Sequence, residues 1–113
     1  MSGEYTPDLW TVVSMTDEDG ERTDKIFGSW YGGYAGSDSW KLSSGITQVV
    51  ELANKYEVHN VSGSIYHCYK NNHGVSSYGS SVLNRFIEQA QASDGKFKIE
   101  KITINEIRNL NNE

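Results

Sequence analysis

Leu9-Trp-Thr-Val-Val-Ser-Met-Thr-Asp-Glu-Asp-Gly-Glu-Arg-Thr-Asp-Lys-Ile-Phe-Gly-Ser-Trp30 is the stretch from which the fold can be read. Two runs rich in β-branched and aromatic residues flank Asp19-Gly20, a pair that tolerates positive φ and so closes hairpins. With Asp19 and Gly20 as the two central turn residues, Val13 stands opposite Ile26, Val12 opposite Phe27, Leu9 opposite Trp30 and Asp17 opposite Arg22. Leu9, Val13, Ile26 and Trp30 then share one face, and Trp10, Val12, Phe27 and Tyr31 the other. A ribbon that is apolar on both faces belongs at the centre of a sheet with cover on each side.

Outward from the hairpin, Gly28-Ser-Trp-Tyr-Gly-Gly-Tyr-Ala-Gly36 interleaves glycines with rings, a pattern that suggests a bend or something packed close to the backbone. Ser37-Asp38-Ser39 makes a turn before a third extended run, from Trp40 to about Leu52. A reversal at Asn54-Lys55 leads to a second hairpin, Tyr56 to Val61 and Ser64 to Lys70. Its turn at Ser62-Gly63 sets Val58 opposite His67 and Tyr56 opposite Tyr69. Beyond a polar loop, Val82, Leu83, Phe86, Ile87 and Ala90 recur at helical spacing, with Ser80 or Ser81 as N-cap and Gly95 as terminator. Alternation returns from Phe97 to Ile104 as a last strand. The order predicts a single α+β domain over 1–113, a mainly antiparallel sheet of five to six strands with one amphipathic helix packed on one face. Residues 1–8 and 106–113 are expected to fray.

The chain has 113 residues, 36% hydrophobic and 22% charged, which suits one soluble core and excludes a disordered polyelectrolyte. The net charge of −5 is local: residues 1–24 carry seven acids and one base, and the rest is almost neutral. Non-specific binding to nucleic acid needs clustered cations and is not expected. One cysteine, Cys68, permits no intramolecular disulfide. No apolar stretch approaches the roughly 18 residues of a membrane span and no leader pattern is present, so the reading is cytoplasmic, without a membrane partner.

Two sites stand out. Trp30, Tyr31, Tyr34 and Trp40 form an aromatic platform suited to a protein partner, with the acidic turn Asp17, Glu18 and Asp19 as a second contact that steers association. An aromatic second sheet face also leaves a homo-oligomer open. The alternative is a small anion, such as a nucleotide, at the helix N-terminus, using Lys70, Ser77, Gly79, Ser80 and Ser81. That loop is not a P-loop, since it lacks the Gly-Lys-Ser/Thr ending. His59, His67, Cys68 and His73 have poor spacing for a metal, because adjacent strand residues point to opposite faces. The acidic turn lacks the ligand spacing of an EF-hand. No catalytic arrangement emerges, and no cofactor is implied.

Gly28-Ser-Trp-Tyr-Gly-Gly-Tyr34, Ser43-Ser-Gly-Ile46 and Asn60-Val-Ser-Gly-Ser-Ile-Tyr66 together resemble the small accessory proteins of T4-like tailed bacteriophages. The resemblance implies a non-enzymatic protein that binds and inhibits a host protein in the host cytoplasm. It transfers no catalytic residues.

Overall fold

The structure, a computed structural model, describes residues 3–32 and 36–107. It contains β1 (Glu4–Tyr5), β2 (Leu9–Thr16), β3 (Arg22–Trp30), β4 (Ser39–Leu42), β5 (Ile46–Glu51), β6 (Lys55–Asn60), β7 (Ile65–Tyr69), α1 (Ser77–Gln91) and β8 (Lys98–Ile102). Short 3-10 turns lie at Lys70–Asn72 and Ile104–Glu106. The α+β class and the single helix on a sheet face are as the sequence predicts. The single sheet of five to six strands is not: there are two four-stranded sheets, ordered β4-β3-β2-β8 and β1-β7-β6-β5.

The division falls inside the run predicted as one strand from Trp40 to Leu52. At Ser43-Ser44-Gly45 the chain leaves the first sheet for the second. Ser43 allows this by closing the ladder itself: its N–H donates to the Ile26 carbonyl at 2.9 Å and its Oγ accepts the Ile26 N–H at 2.9 Å. Two of the serine-rich stretches then meet at this corner, where Ser44 Oγ donates to Ser62 Oγ at 2.9 Å.

The sheets pack face to face around Trp10, Val12 and Ile26 from the first and Ile46, Val58, Tyr66 and Cys68 from the second. Each fully buried aliphatic chain there contributes about 2 kcal/mol of apolar transfer. The opposite face of the first sheet presents Val13 and Phe27 to Val82 and Leu83 of α1. The layers run sheet, sheet, helix, so the face that the sequence left without cover is closed by the second sheet. β2 and β3 are the central pair and are buried on both sides, as their double apolar pattern requires.

Both hairpins are shifted by one residue from the predicted register. Val12 pairs with Ile26, Val13 with Lys25 and Leu9 with Ser29, and in the second hairpin Val58 pairs with Tyr66 and Tyr56 with Cys68. One cause explains both. The loops contain three residues, Glu18 to Gly20 and Val61 to Gly63, closed by Asp17 N–H to Glu21 O at 3.0 Å and Asn60 N–H to Ser64 O at 3.1 Å. Gly20 and Gly63 sit at φ +83° and +90°, the left-handed residue that follows a type I turn in a three-residue hairpin. A Cβ on Gly20 would meet nothing within 4 Å, so Gly20→Ala carries a purely conformational cost. It should lower stability by about 1 kcal/mol in urea melts, with Asn less costly; unchanged melts would refute that turn geometry.

The described parts of both ends are tied into the fold. β1 runs parallel to β7, with Glu4 beside Ile65 and Tyr5 beside Tyr66. Pro7 is fully buried, and its Cγ lies 2.9 Å from where a Cβ on Gly28 would stand, so only glycine admits this close crossing. Ile107 is buried in the inter-sheet core. The helix starts earlier than predicted: Ser76 is the N-cap, its Oγ accepting the Gly79 N–H at 3.0 Å, and Ser80 and Ser81 are helical. It ends at Gln91 with Ala92 as C-cap, and Gly95, at φ +82°, belongs to the turn toward β8.

Candidate functional site

β2 and β3 extend past the part of their face that α1 covers. Over Val13 and Phe27 the helix is seated, but toward the hairpin turn Met15, Thr23 and Lys25 form the floor of an open groove of about 530 Å³. Phe86, Gln89 and Ala90 of α1 make one wall, Leu42 of β4 contributes to the lining, and Phe97, Lys98 and Ile99 enter from the start of β8. Asp17 and Glu21 close the end at the hairpin turn. The lining is mostly apolar, with charge confined to that end and to Lys25 and Lys98. Phe97 is 53% exposed at its lip.

The acidic turn is built by its own first residue. Asp17 Oδ1 accepts the N–H groups of Asp19 at 3.0 Å and Glu21 at 2.9 Å, which leaves Glu18 and Asp19 exposed beside the groove. Arg22 then runs inward: its Nε donates to the buried Asp24 carboxylate at 2.8 Å and its Nη2 to the Glu106 carbonyl at 2.7 Å. That anchors the hairpin to the turn after β8.

The predicted aromatic platform is not one surface. Trp30 pairs with Ser39 and Trp40 with Ser29, so the two indoles point to opposite faces of the first sheet. Trp30 is half-buried toward the second sheet, with Nε1 donating to the Thr6 carbonyl at 3.0 Å and an edge contact to Tyr5. Trp40, 36% exposed, stacks on Phe27 at 5.8 Å between centroids and meets Phe86 edge-on at 5.3 Å. Through Phe86 it extends the apolar wall of the groove. Tyr31 is 57% exposed, its backbone N–H donating to Asp8 Oδ2 at 2.8 Å, and Tyr34 lies outside the described residues. Trp40 and the acidic turn are therefore the predicted residues that the fold gathers around one feature.

The anion-site residues are divided. Lys70 Nζ donates to Glu51 Oε2 at 2.7 Å and lies 5.1 Å from the centroid of the Tyr56 ring, beside a small hollow lined also by Trp10 and His73. Ser80 lines a separate hollow with Thr11, Gly74 and Lys101. Gly79 is buried, with Phe27, Val75 and Ser76 around it, Ser77 is exposed, and Ser81 Oγ donates to the Tyr78 carbonyl.

The register shift also rearranges the histidines. His67 and Glu57 are opposite one another on the outer face of the second sheet, His59 beside them, while Cys68 points into the core. Lys55 Nζ lies 3.0 Å from His67 Nδ1; an ammonium only donates, so Nδ1 accepts, and Nε2 carries the proton given to Glu4 Oε1 at 2.8 Å. This pair links β1 to β7. Burial pushes the Cys68 thiol up to about 12, away from any nucleophilic form near neutral pH. Among the described residues no group of three metal-ligating side chains converges, and no helix is long and apolar enough to cross a membrane.

Met15, Leu42, Phe86 and Phe97 were not singled out as binding residues from sequence, where Phe86 reads as helix core and Phe97 as a strand start. Their convergence depends on which face of the first sheet the helix covers: Met15 shares the face of Val13, on which α1 is seated, and no local pattern in the sequence names that face. No protein-family model, no curated protein and no solved structure matches this chain.

Proposed function

We propose that this protein acts by binding another protein, taking an apolar, positively charged segment of its partner into the groove between α1 and the β2–β3 hairpin. The observation that carries this reading is the apolar trench of about 530 Å³ ending at carboxylates. Apolar side chains of the partner would lie against Met15, Leu42 and Phe86, and its cations would face the turn, where residues 17–24 carry five acids and one base. Desolvated apolar anchors supply most of such an affinity, while the exposed carboxylates raise the association rate and fix direction. The likeness to T4-like phage accessory proteins adds a host protein as the partner and occlusion of its surface as the mode of inhibition.

A random peptide library displayed against the purified protein tests the reading. Enriched peptides should combine bulky apolar residues with Lys or Arg. Met15→Glu and Leu42→Glu, each with an unchanged melting transition, should weaken the best peptide about tenfold or more. Neutralising Glu18, Asp19 and Glu21 together should slow association several-fold at low salt, with little change in dissociation. Peptides that bind equally well to both groove variants, or that lack apolar anchors, would overturn it.

A further inference from the structure

We propose that two copies of this chain associate through the outer edges of β8, joining two four-stranded sheets into one continuous antiparallel sheet of eight. This surface shares Phe97, Lys98 and Ile99 with the β8 side of the groove but not the groove's floor of Met15, Thr23 and Lys25. β8 is the edge of its sheet, paired on one side with β2, and among the described residues no strand occupies its other side. An unpaired edge offers a row of N–H and C=O groups to an incoming strand.

Charges along an edge ordinarily block such pairing, but here their order fits a second copy. Lys98 and Glu100 lie on the face toward the second sheet, opposite Thr16 and Ser14, while Ile99 and Lys101 lie on the helix face, opposite Met15 and Val13. When two β8 strands run antiparallel about a two-fold axis at Ile99, Lys98 of each faces Glu100 of the other. Ile99 meets its own copy, and each Lys101 comes opposite Phe97. Every pair keeps its face, as sheet geometry requires. A slip of two residues in one direction sets Glu100 against Glu100, and in the other Lys98 against Lys98, so one register alone is complementary. Within the chain, Lys98 Nζ and Glu100 Oε2 already lie 3.5 Å apart on this exposed face, ready to exchange partners across the axis.

The helix side of the same edge provides the apolar part. A hollow of about 380 Å³ runs along β8, lined by Ile87, Ala90, Phe97 and Ile99. In the paired arrangement the second copy's Ile99 and Phe97 stand along this hollow and exclude water from it. The other edges lack this fit: β1 has two residues, β4 has four with Lys41 as its one charge, and β5 is broken by a register shift between Ile46 and Gln48.

Sedimentation equilibrium from about 10 µM to 1 mM decides the matter. The unmodified chain should reach twice the mass of one chain within this range, and added salt should weaken the association. Glu100→Lys, which sets Lys98 against a lysine in the other copy, should weaken dimerisation at least tenfold. The double exchange Lys98→Glu with Glu100→Lys should restore it, because the ion pairs re-form in reverse order. A chain that stays monomeric at 1 mM, a Glu100→Lys variant that dimerises as before, or a double exchange that fails to recover would each overturn the proposal. Peptide binding in the groove by the Glu100→Lys variant, and dimerisation by the Met15→Glu variant, keep this result distinct from that of the proposed function.

Discussion

Trp10→Ala is expected to cost about 3–5 kcal/mol, enough to unfold much of the protein at room temperature. Trp10 is buried at the seam between the sheets, with Tyr56 edge-on at 6.0 Å and His73 at 4.8 Å. Its Nε1 donates to the Tyr69 carbonyl at 2.7 Å, and its own carbonyl accepts the Gly74 N–H at 2.8 Å. The side chain thus joins the first sheet to the end of β7, and its removal leaves both a large void and an acceptor without its donor. Trp10→Phe separates these losses: it retains most of the apolar contact but forfeits the hydrogen bond, and should cost about 1–3 kcal/mol. Urea denaturation followed by far-ultraviolet circular dichroism measures both. A loss under 1 kcal/mol in the alanine variant would mean that the sheets do not depend on this contact.

Alkaline pH should weaken the fold steeply while mild acid leaves these two groups without effect. Cys68 is fully buried, and burial lifts its thiol from 9.0 to about 12. The Tyr66 hydroxyl is lifted from 10.0 to about 12, first by burial and then by the nearby Tyr5 and Cys68. Both raised values mean that the native state holds its protons longer than the unfolded chain. Their contribution is complete below about pH 9 and disappears as pH climbs through 9 and 10 toward 12. Urea midpoints measured from pH 7 to 11 should therefore fall progressively above pH 9. Cys68→Ala should flatten part of that decline at the cost of a small cavity. Tyr66→Phe should flatten another part and, because the buried hydroxyl has no hydrogen-bond partner among the described residues, should be neutral or slightly stabilising at pH 7. Midpoints that hold constant to pH 11, or variants that decline as the unmodified chain does, would contradict this burial.

The groove and the β8 edge share a structural origin. One helix of fifteen residues cannot cover four strands, so it seals the middle of the first sheet and leaves an open trench on the hairpin side and a hollow along β8. Trp40 shows the same economy: it shields Phe27 with one ring face while more than a third of its surface stays accessible. Residues that complete a small core at its margin are also those most available for recognition.

Most elements were legible in the sequence, because alternation and helical spacing are local. The hairpin signals at Gly20 and Gly63 and the helix stripe from Val82 to Ala90 stand where they were read, and the last strand, read from Phe97 to Ile104, is present as the shorter Lys98–Ile102 with Ile104 in the turn that follows. The register was legible in part. In the second hairpin, the three-residue loop places Val58 and Tyr66 inward and Glu57 and His67 outward, a cleaner division than the pairing of Val58 with His67. Counting glycine as the last of three loop residues would have found it.

What the sequence determined alone is the two hairpins, the helix and the last strand, though not β1, together with the double burial of β2 and β3, since each depends on residues close along the chain. Tertiary structure decided the rest. Ser43 accepting and donating at Ile26, seventeen residues away, divides one extended run between two sheets. Pairing parity then sends Trp30 and Trp40 to opposite faces and brings Met15, Phe86 and Phe97 to one trench. Such contacts join residues far apart in sequence, and their free energy depends on what packs across the sheet, which no local pattern records.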